Sequence, residues 1–218
     1  MAIRGSKVRG KKEDKEAITV LLAGSAAGEK LKPLCIGKSK KPRDFKDKPC
    51  PRVDYKGGFN RKAWMNRMLF ENWVHELNEK MKEEKRHILL LVDNASAHHL
   101  AATNFSNVRL EFIDPNCTSA LQPMDAGVIR SFKAKFYDLM YEQFDKPSLY
   151  EALQYVETAW RQVHPDTLIK SFKNTGILGK QEPDLVEPCK ASTSAVSESH
   201  TDLVSRATLS FKLIHGKV

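Results

Sequence analysis

The order of apolar and polar residues points first to a buried strand in the middle of the chain. Five apolar residues, Ile88 to Val92, follow one another without a break and end at Asp93-Asn94. A continuous apolar run of this length, bounded by polar residues, is typical of a strand that is covered on both faces. Sites in open α/β sheets lie at the carboxyl ends of such strands. Asp93 is therefore a candidate site residue, and capping of the following turn is its alternative role.

Similar patterns predict strands and helices on either side of this run. Apolar residues at spacings of three and four predict amphipathic helices, and one of these begins with a capping box formed by Ser148 and Glu151. Both tryptophans of the first helix, Trp64 and Trp73, are expected in the core. The alternation of strands and helices favours an α/β fold. The predicted strands cover residues 18–24, 31–37, 53–58, 88–92 and 108–113, and the predicted helices cover residues 60–85, 128–139, 149–160 and 166–174.

Composition narrows the class of protein. The chain has 218 residues, of which 41% are hydrophobic, and this is enough for one core. No apolar run approaches the length of a membrane span and no hydrophobic signal segment opens the sequence, so we expect an intracellular protein without membrane contact. The four cysteines are scattered, which argues against a disulfide framework and against a structural zinc site.

Positive charge is concentrated at the start of the chain. Residues 1–56 hold 16 Lys+Arg and 7 Asp+Glu, whereas the rest of the chain holds 20 of each. This asymmetry indicates contact with a polyanion, and DNA is the expected partner; a solvated basic tail is the alternative. The loop 38–52 also suits a nuclear-import signal or a plain surface loop, and the nucleus is the expected location. The residues expected to contact nucleic acid are Lys38, Lys40, Lys41, Arg43, Arg61, Lys62, Arg130 and Lys133.

The composition also divides the chain into three parts. Residues 1–16 are charged and nearly free of large apolar side chains, which predicts a basic, disordered N-terminus. Residues 17–179 hold all the predicted elements and are expected to form the folded domain. Residues 180–218 are serine-rich and are expected to be a disordered tail. Its last ten residues, LSFKLIHGKV, are more apolar again, and no structure is predicted for them.

A second acid, Asp125, is placed so that its carboxylate could meet that of Asp93. It ends the connector DPNCTSALQPMD and precedes a predicted helix, for which it could instead be the N-cap. Converging carboxylates suit Mg²⁺ or Mn²⁺, and a pair of such ions can support phosphodiester cleavage. Two carboxylates rarely make a complete two-metal site, so a third acid is needed.

Three segments resemble the pogo/Tigger-like branch of the mariner-type transposases, a group that includes centromere protein B and the Tigger- and jerky-derived proteins. They are VDNASAH, LEFIDPNCTSALQPMDAGVIRSFK and ITVLLAG with EKLKPLCIGKSKKPR, and the resemblance runs from about Ile18 to Gly179. It implies an RNase H-like (DDE integrase-type) mixed sheet with flanking helices, and a DDE endonuclease site that uses Mg²⁺ or Mn²⁺. The family's DNxxxH segment is matched by Asp93, Asn94 and His98, and its QPMD-G segment by residues 122–127. The resemblance therefore implies that Asp93 and Asp125 are catalytic metal ligands and makes His98 a catalytic candidate.

The sequence departs from this family at the first catalytic acid. In the family that acid lies on the central strand, upstream of the segment with which this sequence begins, so the domain is expected to lack its first central strand. Glu13, Asp14 or Glu16 could replace the acid only from a mobile charged segment, which holds a metal poorly. The strand at Ile88 to Val92 would then expose an edge, and a partner protein or self-association would have to complete the sheet.

These observations predict a transposase-derived, domesticated or degenerate nuclear protein that binds nucleic acid without catalysis and without a cofactor. In this interpretation Asp93 and Asp125 are vestigial. The alternative is an active Mg²⁺- or Mn²⁺-dependent DNA endonuclease or transposase that uses Asp93 and Asp125. His98 and His99 could be its general bases, and the favoured role of His99 is that of a turn residue. A fragment without a selected function is a third possibility.

Overall fold

The computed structural model of the protein describes residues 17–46, 48–49, 51–58, 61–100, 104–114, 117–142 and 147–178, and the backbone of residues 208–217. These residues form a mixed α/β structure, as predicted from the sequence. The strands are β1 (Ala17–Ser25), β2 (Leu34–Gly37), β3 (Asp54–Gly57), β4 (Ile88–Val92), β5 (Val108–Phe112) and β6 (Thr208–Lys217). The helices are α1 (Arg67–Glu83), α2 (Thr118–Leu121), α3 (Ile129–Tyr141), α4 (Leu149–Gln162) and α5 (Pro165–Thr175).

All of these strands belong to one mixed sheet with the order β3-β2-β1-β6-β4-β5. β1 and β2 form a hairpin, in which they pair antiparallel with Thr19 opposite Ile36. β2 pairs in parallel with β3, and β4 pairs in parallel with β5. β3 and β5 therefore lie at the two edges of the sheet.

The strand that joins the two halves of the sheet comes from the end of the sequence. β6 runs antiparallel to β1, from the pair Ala17–Lys217 to the pair Ser25–Leu209, and parallel to β4, from Leu89–Thr208 to Leu91–Ser210. The expectation of a disordered tail over residues 180–218 is therefore wrong for residues 208–217. The expected gap in the middle of the sheet is also wrong, because β6 fills it. Its pairing partners lie far away in the sequence, so local patterns gave no sign of them.

Helices cover both faces of the sheet, and alternate residues of each strand pack on opposite faces. α1 covers one face, and α3, α4 and α5 cover the other. The α1 face includes Leu21, Phe70, Trp73, Leu90 and Val92. The opposite face includes Leu22, Phe132 and Leu168 in one cluster and Leu91, Ile113 and Phe172 in an adjoining one.

α1 begins at Arg67 rather than at the predicted residue 60. The side chain of Asn66 accepts a hydrogen bond from the N–H of Leu69 at 2.9 Å, which is an N-cap. Ala63 has φ 55°, so the backbone before the cap is not helical. Trp64 lies in this irregular stretch and is 54% exposed, so the prediction that it belongs to the core is wrong. The same prediction is confirmed for Trp73, which is buried.

Some predictions fall outside the described residues. The basic N-terminus 1–16, with Glu13, Asp14 and Glu16, lies outside them. So do residues 180–207, most of the serine-rich segment. Within the described part, Cys35 and Cys117 are free thiols, and burial raises the pKa of the Cys35 thiol. No helix among the described residues is long and apolar enough to cross a membrane.

Candidate metal and nucleic-acid site

Asp93 lies directly after β4, at the carboxyl end of the strand, and its carboxylate is engaged by the next turn. Nδ1 of His98 is 2.6 Å from Oδ1 of Asp93, and the N–H of Ala95 lies 3.4 Å from the same oxygen. Asp93 therefore shapes the turn that follows it, which was its alternative role. Asp93 and His98 are the two candidate catalytic residues that are in direct contact.

His98 is a buried residue in a short 3-10 turn, Ser96–His98. Its ring packs against Phe70 of α1, with ring centroids 4.6 Å apart, and its Nδ1 also lies 3.3 Å from the backbone oxygen of Asp93. These contacts fix the ring in the hydrophobic layer between α1 and the sheet. His99 is exposed and stacks on Phe112, with centroids 5.2 Å apart.

Asp125 lies in an irregular helical turn, Met124–Val128, on the face of the sheet that α5 covers. Gln122 and Met124 are buried before it, while Asp125 itself is exposed. Gly127 has φ 132°, a conformation that glycine accepts readily. α3 begins after this turn with Val128 at its N-cap position. Asp125 therefore does not cap α3, and that alternative reading of its sequence position is wrong.

The turn that contains Asp125 is held in place by α5 and β6. The hydroxyl of Ser171 donates to the carbonyl oxygen of Thr167 at 2.7 Å and lies 3.4 Å from that of Ala126. Met124 and Val128 belong to the same hydrophobic cluster as Leu22 of β1, and the turn also contacts β6. The backbone that carries Asp125 is therefore anchored against the middle of the sheet.

Among the described residues, few side chains could bind a metal ion together with these two acids. Among the residues that the structure describes, no group of three or more His, Cys, Asp and Glu side chains is placed to hold a metal ion. β6, which lies between β1 and β4, has the sequence TLSFKLIHGK and brings no carboxylate. A pair of hard divalent ions needs several oxygen ligands. The described residues therefore do not fit the two-metal site that Asp93 and Asp125 suggested.

The first group of predicted nucleic-acid contacts lies on the loop after β2. Lys38, Lys40, Lys41 and Arg43 are all exposed. Hydrogen bonds anchor the loop at both ends of this group of four cations. The hydroxyl of Tyr55 donates to the carbonyl oxygen of Ser39 at 2.8 Å, and Asp44 accepts the N–H of Leu149 at the start of α4 at 3.1 Å.

The second group lies on α3, next to Asp125. Arg130 and Lys133 are exposed, and two tyrosines that the sequence analysis did not select, Tyr137 and Tyr141, extend the same side of the helix. Their exposed fractions are 48% and 83%. Spacings of three, four and four residues put the four side chains in one row, and this spacing was the signal that could have found the tyrosines. The row combines two cations with two exposed rings.

The remaining predicted contacts, Arg61 and Lys62, precede α1 and are exposed. Nζ of Lys62 lies 4.7 Å from the centroid of the Trp64 ring. This is a cation–π contact on the surface. It is a contact of the exposed Trp64 ring, which the sequence analysis placed in the core.

Comparison with known proteins identifies the family and the relatives of this chain. A family model described as DDE superfamily endonuclease matches residues 15–172, which include β1 to β5 and both candidate acids. The chain belongs to this family. Its pogo/Tigger-like, transposase-derived branch is indicated by the curated relatives. Tigger transposable element-derived protein 4 of Mus musculus is 34% identical over 172 residues, covering 74% of this chain and 33% of the relative.

Two further relatives belong to the same group. Jerky protein homolog of Homo sapiens is 36% identical over 143 residues, covering 61% of this chain and 25% of the relative. Major centromere autoantigen B of Mus musculus is 30% identical over 177 residues, covering 75% of this chain and 28% of the relative. The chain thus spans about a third or less of the length of these relatives. No solved structure matches the chain.

Proposed function

We propose that this protein is a nuclear, transposase-derived protein whose DDE domain binds DNA without cleaving it. An RNase H-like fold is part of the proposal. It is supported by the family and by a mixed sheet with helices on both faces. The nucleus is proposed because its relatives include a protein named centromere autoantigen B and because DNA is the proposed partner.

The observation that carries DNA binding is the anchored basic loop after β2. Four cations within six residues, Lys38 to Arg43, are exposed. Hydrogen bonds with Tyr55 and with the start of α4 hold the backbone of this loop in place. Cations that contact phosphates release condensed counterions, and this release favours binding. An anchored loop also loses less conformational freedom on binding than a free one.

The proposal that the domain does not cleave DNA rests on the chemistry of the candidate site. One acid, Asp93, is engaged by His98, and the described residues contain no group of three donors suited to a metal. Asp93 and Asp125 are therefore proposed to be vestigial. Mg²⁺ or Mn²⁺ would be needed only by an active enzyme, and no step of the proposed function depends on either ion.

The salt dependence of DNA affinity tests the binding proposal. The variant Lys38→Gln/Lys40→Gln/Lys41→Gln should bind duplex DNA more weakly. Its slope of log affinity against log salt should be less steep by about 0.9 for each phosphate contact that is lost. The control variant Lys82→Gln/Lys170→Gln/Lys173→Gln changes the net charge equally, at exposed positions on α1 and α5. If both variants change the slope equally, only net charge matters and the loop is not the interface.

The row on α3 extends the same test. Arg130→Gln/Lys133→Gln should also reduce the slope, because these cations would contact phosphates. Tyr137→Ala/Tyr141→Ala should leave the slope unchanged but weaken binding to single-stranded DNA more than to duplex DNA, since unpaired bases can stack on exposed rings. Equal weakening of both DNA forms would argue against base stacking on this row.

A further inference from the structure

β5 is an edge strand, and among the described residues no strand pairs with its outer side. On its inner side, the carbonyl oxygen of Asn107 accepts the N–H of Ile88 at 2.9 Å. Past its other end, the N–H of Ile113 donates to the carbonyl oxygen of Val92 at 2.8 Å. Backbone groups of alternate residues point to opposite sides of a strand, so the odd-numbered residues of β5 bond to β4. The N–H and C=O groups of its even-numbered residues therefore point outwards.

The side chains of β5 also alternate between the two faces of the sheet. Val108 and Leu110 pack on the α1 face, and Phe112 follows on the same face with 39% of its surface exposed. Arg109 and Glu111 lie on the opposite face and form an ion pair at 3.3 Å, with exposed fractions of 81% and 52%. Such an exposed pair adds little stability, so either side chain can take another partner at small cost.

The sequence of β5, VRLEF, complements itself when two copies run antiparallel. With Leu110 opposite the same residue of a second copy, Arg109 lies opposite Glu111 of that copy, and the reverse pair forms as well. This register also suits the backbone, because the even-numbered residues then bond to each other through their outward groups. The two charged pairs fall at the positions without hydrogen bonds, where side chains across the ladder are closest. Opposite charges at such positions stabilise the pairing.

The space beside the first half of β5 is open. A cavity of about 370 Å³ lies there, and its lining includes Phe105, Val108 and Leu110. The same register puts Phe112 of the second copy opposite Val108, at this cavity. The exposed ring of Phe112 would therefore find a place to pack.

The other edge strand, β3, is less suited to pairing with a second copy. It has four residues, and its cation Lys56 is held by Glu76 of α1 at 3.0 Å. The loop after β2 also lies against it, since the carbonyl oxygen of Ser39 accepts the hydroxyl of Tyr55 and packs against Gly57. Self-complementary charge on an open edge is thus better developed at β5.

We propose that a second copy of this chain binds at β5, by antiparallel pairing of the two β5 strands about Leu110. The contact joins the two sheets into one, and the basic loops after β2 then lie towards its opposite ends. The sequence analysis expected self-association at β4, a place that β6 occupies. This inference goes beyond the proposed function and does not depend on DNA binding.

Sedimentation velocity of the full chain, purified free of nucleic acid, tests the inference. The wild-type chain should dimerise as its concentration rises. Arg109→Glu and Glu111→Arg should each weaken dimerisation at least about tenfold, because each variant puts like charges opposite each other at two places. Lys80→Glu is the matched control: it makes the same charge change as Arg109→Glu and breaks an exposed ion pair with Glu84 on α1.

An equimolar mixture of Arg109→Glu and Glu111→Arg gives the sharpest result. It should restore dimerisation, because two glutamates then face two arginines, although the ion pair within each chain stays broken. The inference is overturned if the wild-type chain stays monomeric at the highest concentration at which it is soluble. It is equally overturned if Lys80→Glu weakens dimerisation as much as Arg109→Glu does, or if the mixture dimerises no better than either variant alone.

A second measurement uses the wild-type chain alone and applies if the variants do not fold. Hydrogen exchange at the N–H groups of Val108, Leu110 and Phe112 should slow as the protein concentration rises, because these groups become bonded in the dimer. The N–H groups of Arg109 and Glu111, which bond to β4, should be protected already in dilute protein. Exchange at the three even-numbered positions that does not change with concentration would rule out pairing at β5.

Discussion

Nδ1 of His98 lies 2.6 Å from Oδ1 of Asp93, and the imidazole ring is fully buried although the carboxylate is partly exposed. The ring also packs against Phe70 of α1. His98 thus connects the end of β4 to the helix on that face of the sheet. This arrangement favours a structural role for the pair, because a buried ring held on two sides has little freedom to exchange protons with a substrate.

The first prediction concerns this pair. His98→Ala should reduce the free energy of unfolding by about 2–3 kcal/mol, because it removes a buried ring and leaves Asp93 without this partner. The neighbouring control His99→Ala removes an exposed ring stacked on Phe112 and should cost less than about 1 kcal/mol. Urea unfolding measures both, and equal losses would contradict a structural role for His98.

Lys30 joins the hairpin loop to the end of α4. Its ammonium group donates hydrogen bonds to the carbonyl oxygens of Trp160, Arg161 and Val163 at 3.0, 2.9 and 2.8 Å. These carbonyls lie at the negative end of the helix dipole. Lys30→Met should therefore destabilise the protein by about 2 kcal/mol in urea unfolding. Lys32→Met, an exposed position on the same loop, is the control. A loss no larger than that of the control would show that the three hydrogen bonds add nothing.

The capping box of α4 makes stability depend on pH. The N–H of Ser148 donates to Glu151 at 2.8 Å and lowers the pKa of this carboxyl. Because the folded-state pKa is below the unfolded value of about 4.3, the stabilisation is present above that pH and is lost as the pH falls through the lowered value. Glu151→Ala should thus destabilise the protein at neutral pH and progressively less in acid. A loss that does not change with pH would contradict this role.

The hydroxyl of Ser148 contributes separately to the same cap, since it accepts the N–H of Glu151 at 3.3 Å. Ser148→Ala should cost about 1 kcal/mol at neutral pH, as measured by urea unfolding. A loss below the error of the measurement would mean that the remaining hydrogen bonds hold the helix start, namely those from the backbone N–H groups of residue 148 to Glu151 and of Leu149 to Asp44.

β6 is expected to be essential for stability. Ser210 is paired with Gly24 of β1 and with Leu91 of β4, so a proline there removes an N–H from a strand with neighbours on both sides. Ser210→Pro should cost at least about 2 kcal/mol and increase hydrogen exchange in β1. Lys217→Pro, at the end of the ladder, should cost less. If the two variants are equally stable, β6 does not hold the sheet together.

Much of the fold could be predicted from local sequence. The five apolar residues before Asp93, the hairpin before residue 38, the capping box at Ser148 and the left-handed Gly176 that ends α5 are all encoded within a few neighbouring residues. The candidate acids were also found from their positions after a strand and in a connector. These features depend on hydrophobic periodicity and on capping, which act over short distances.

The remaining features depend on contacts between distant parts of the chain. No local pattern shows that residues 208–217 enter the sheet between β1 and β4, because the pairing partners are at the other end of the sequence. The exposure of Trp64 follows from the cap at Asn66, which starts α1 later than the apolar pattern suggested. That β6, whose sequence has no carboxylate, is the neighbour of β4 in the sheet likewise depends on pairing between distant segments.

A plasmid assay tests most directly whether the domain binds DNA without cutting it. Supercoiled DNA is incubated with Mn²⁺ and saturating protein, and the same gel reports retarded mobility and nicking, beside an Asp93→Asn control. We expect retardation without nicking for both proteins. Nicking by the wild-type chain that disappears in Asp93→Asn would contradict the proposal and establish an active metal-dependent endonuclease.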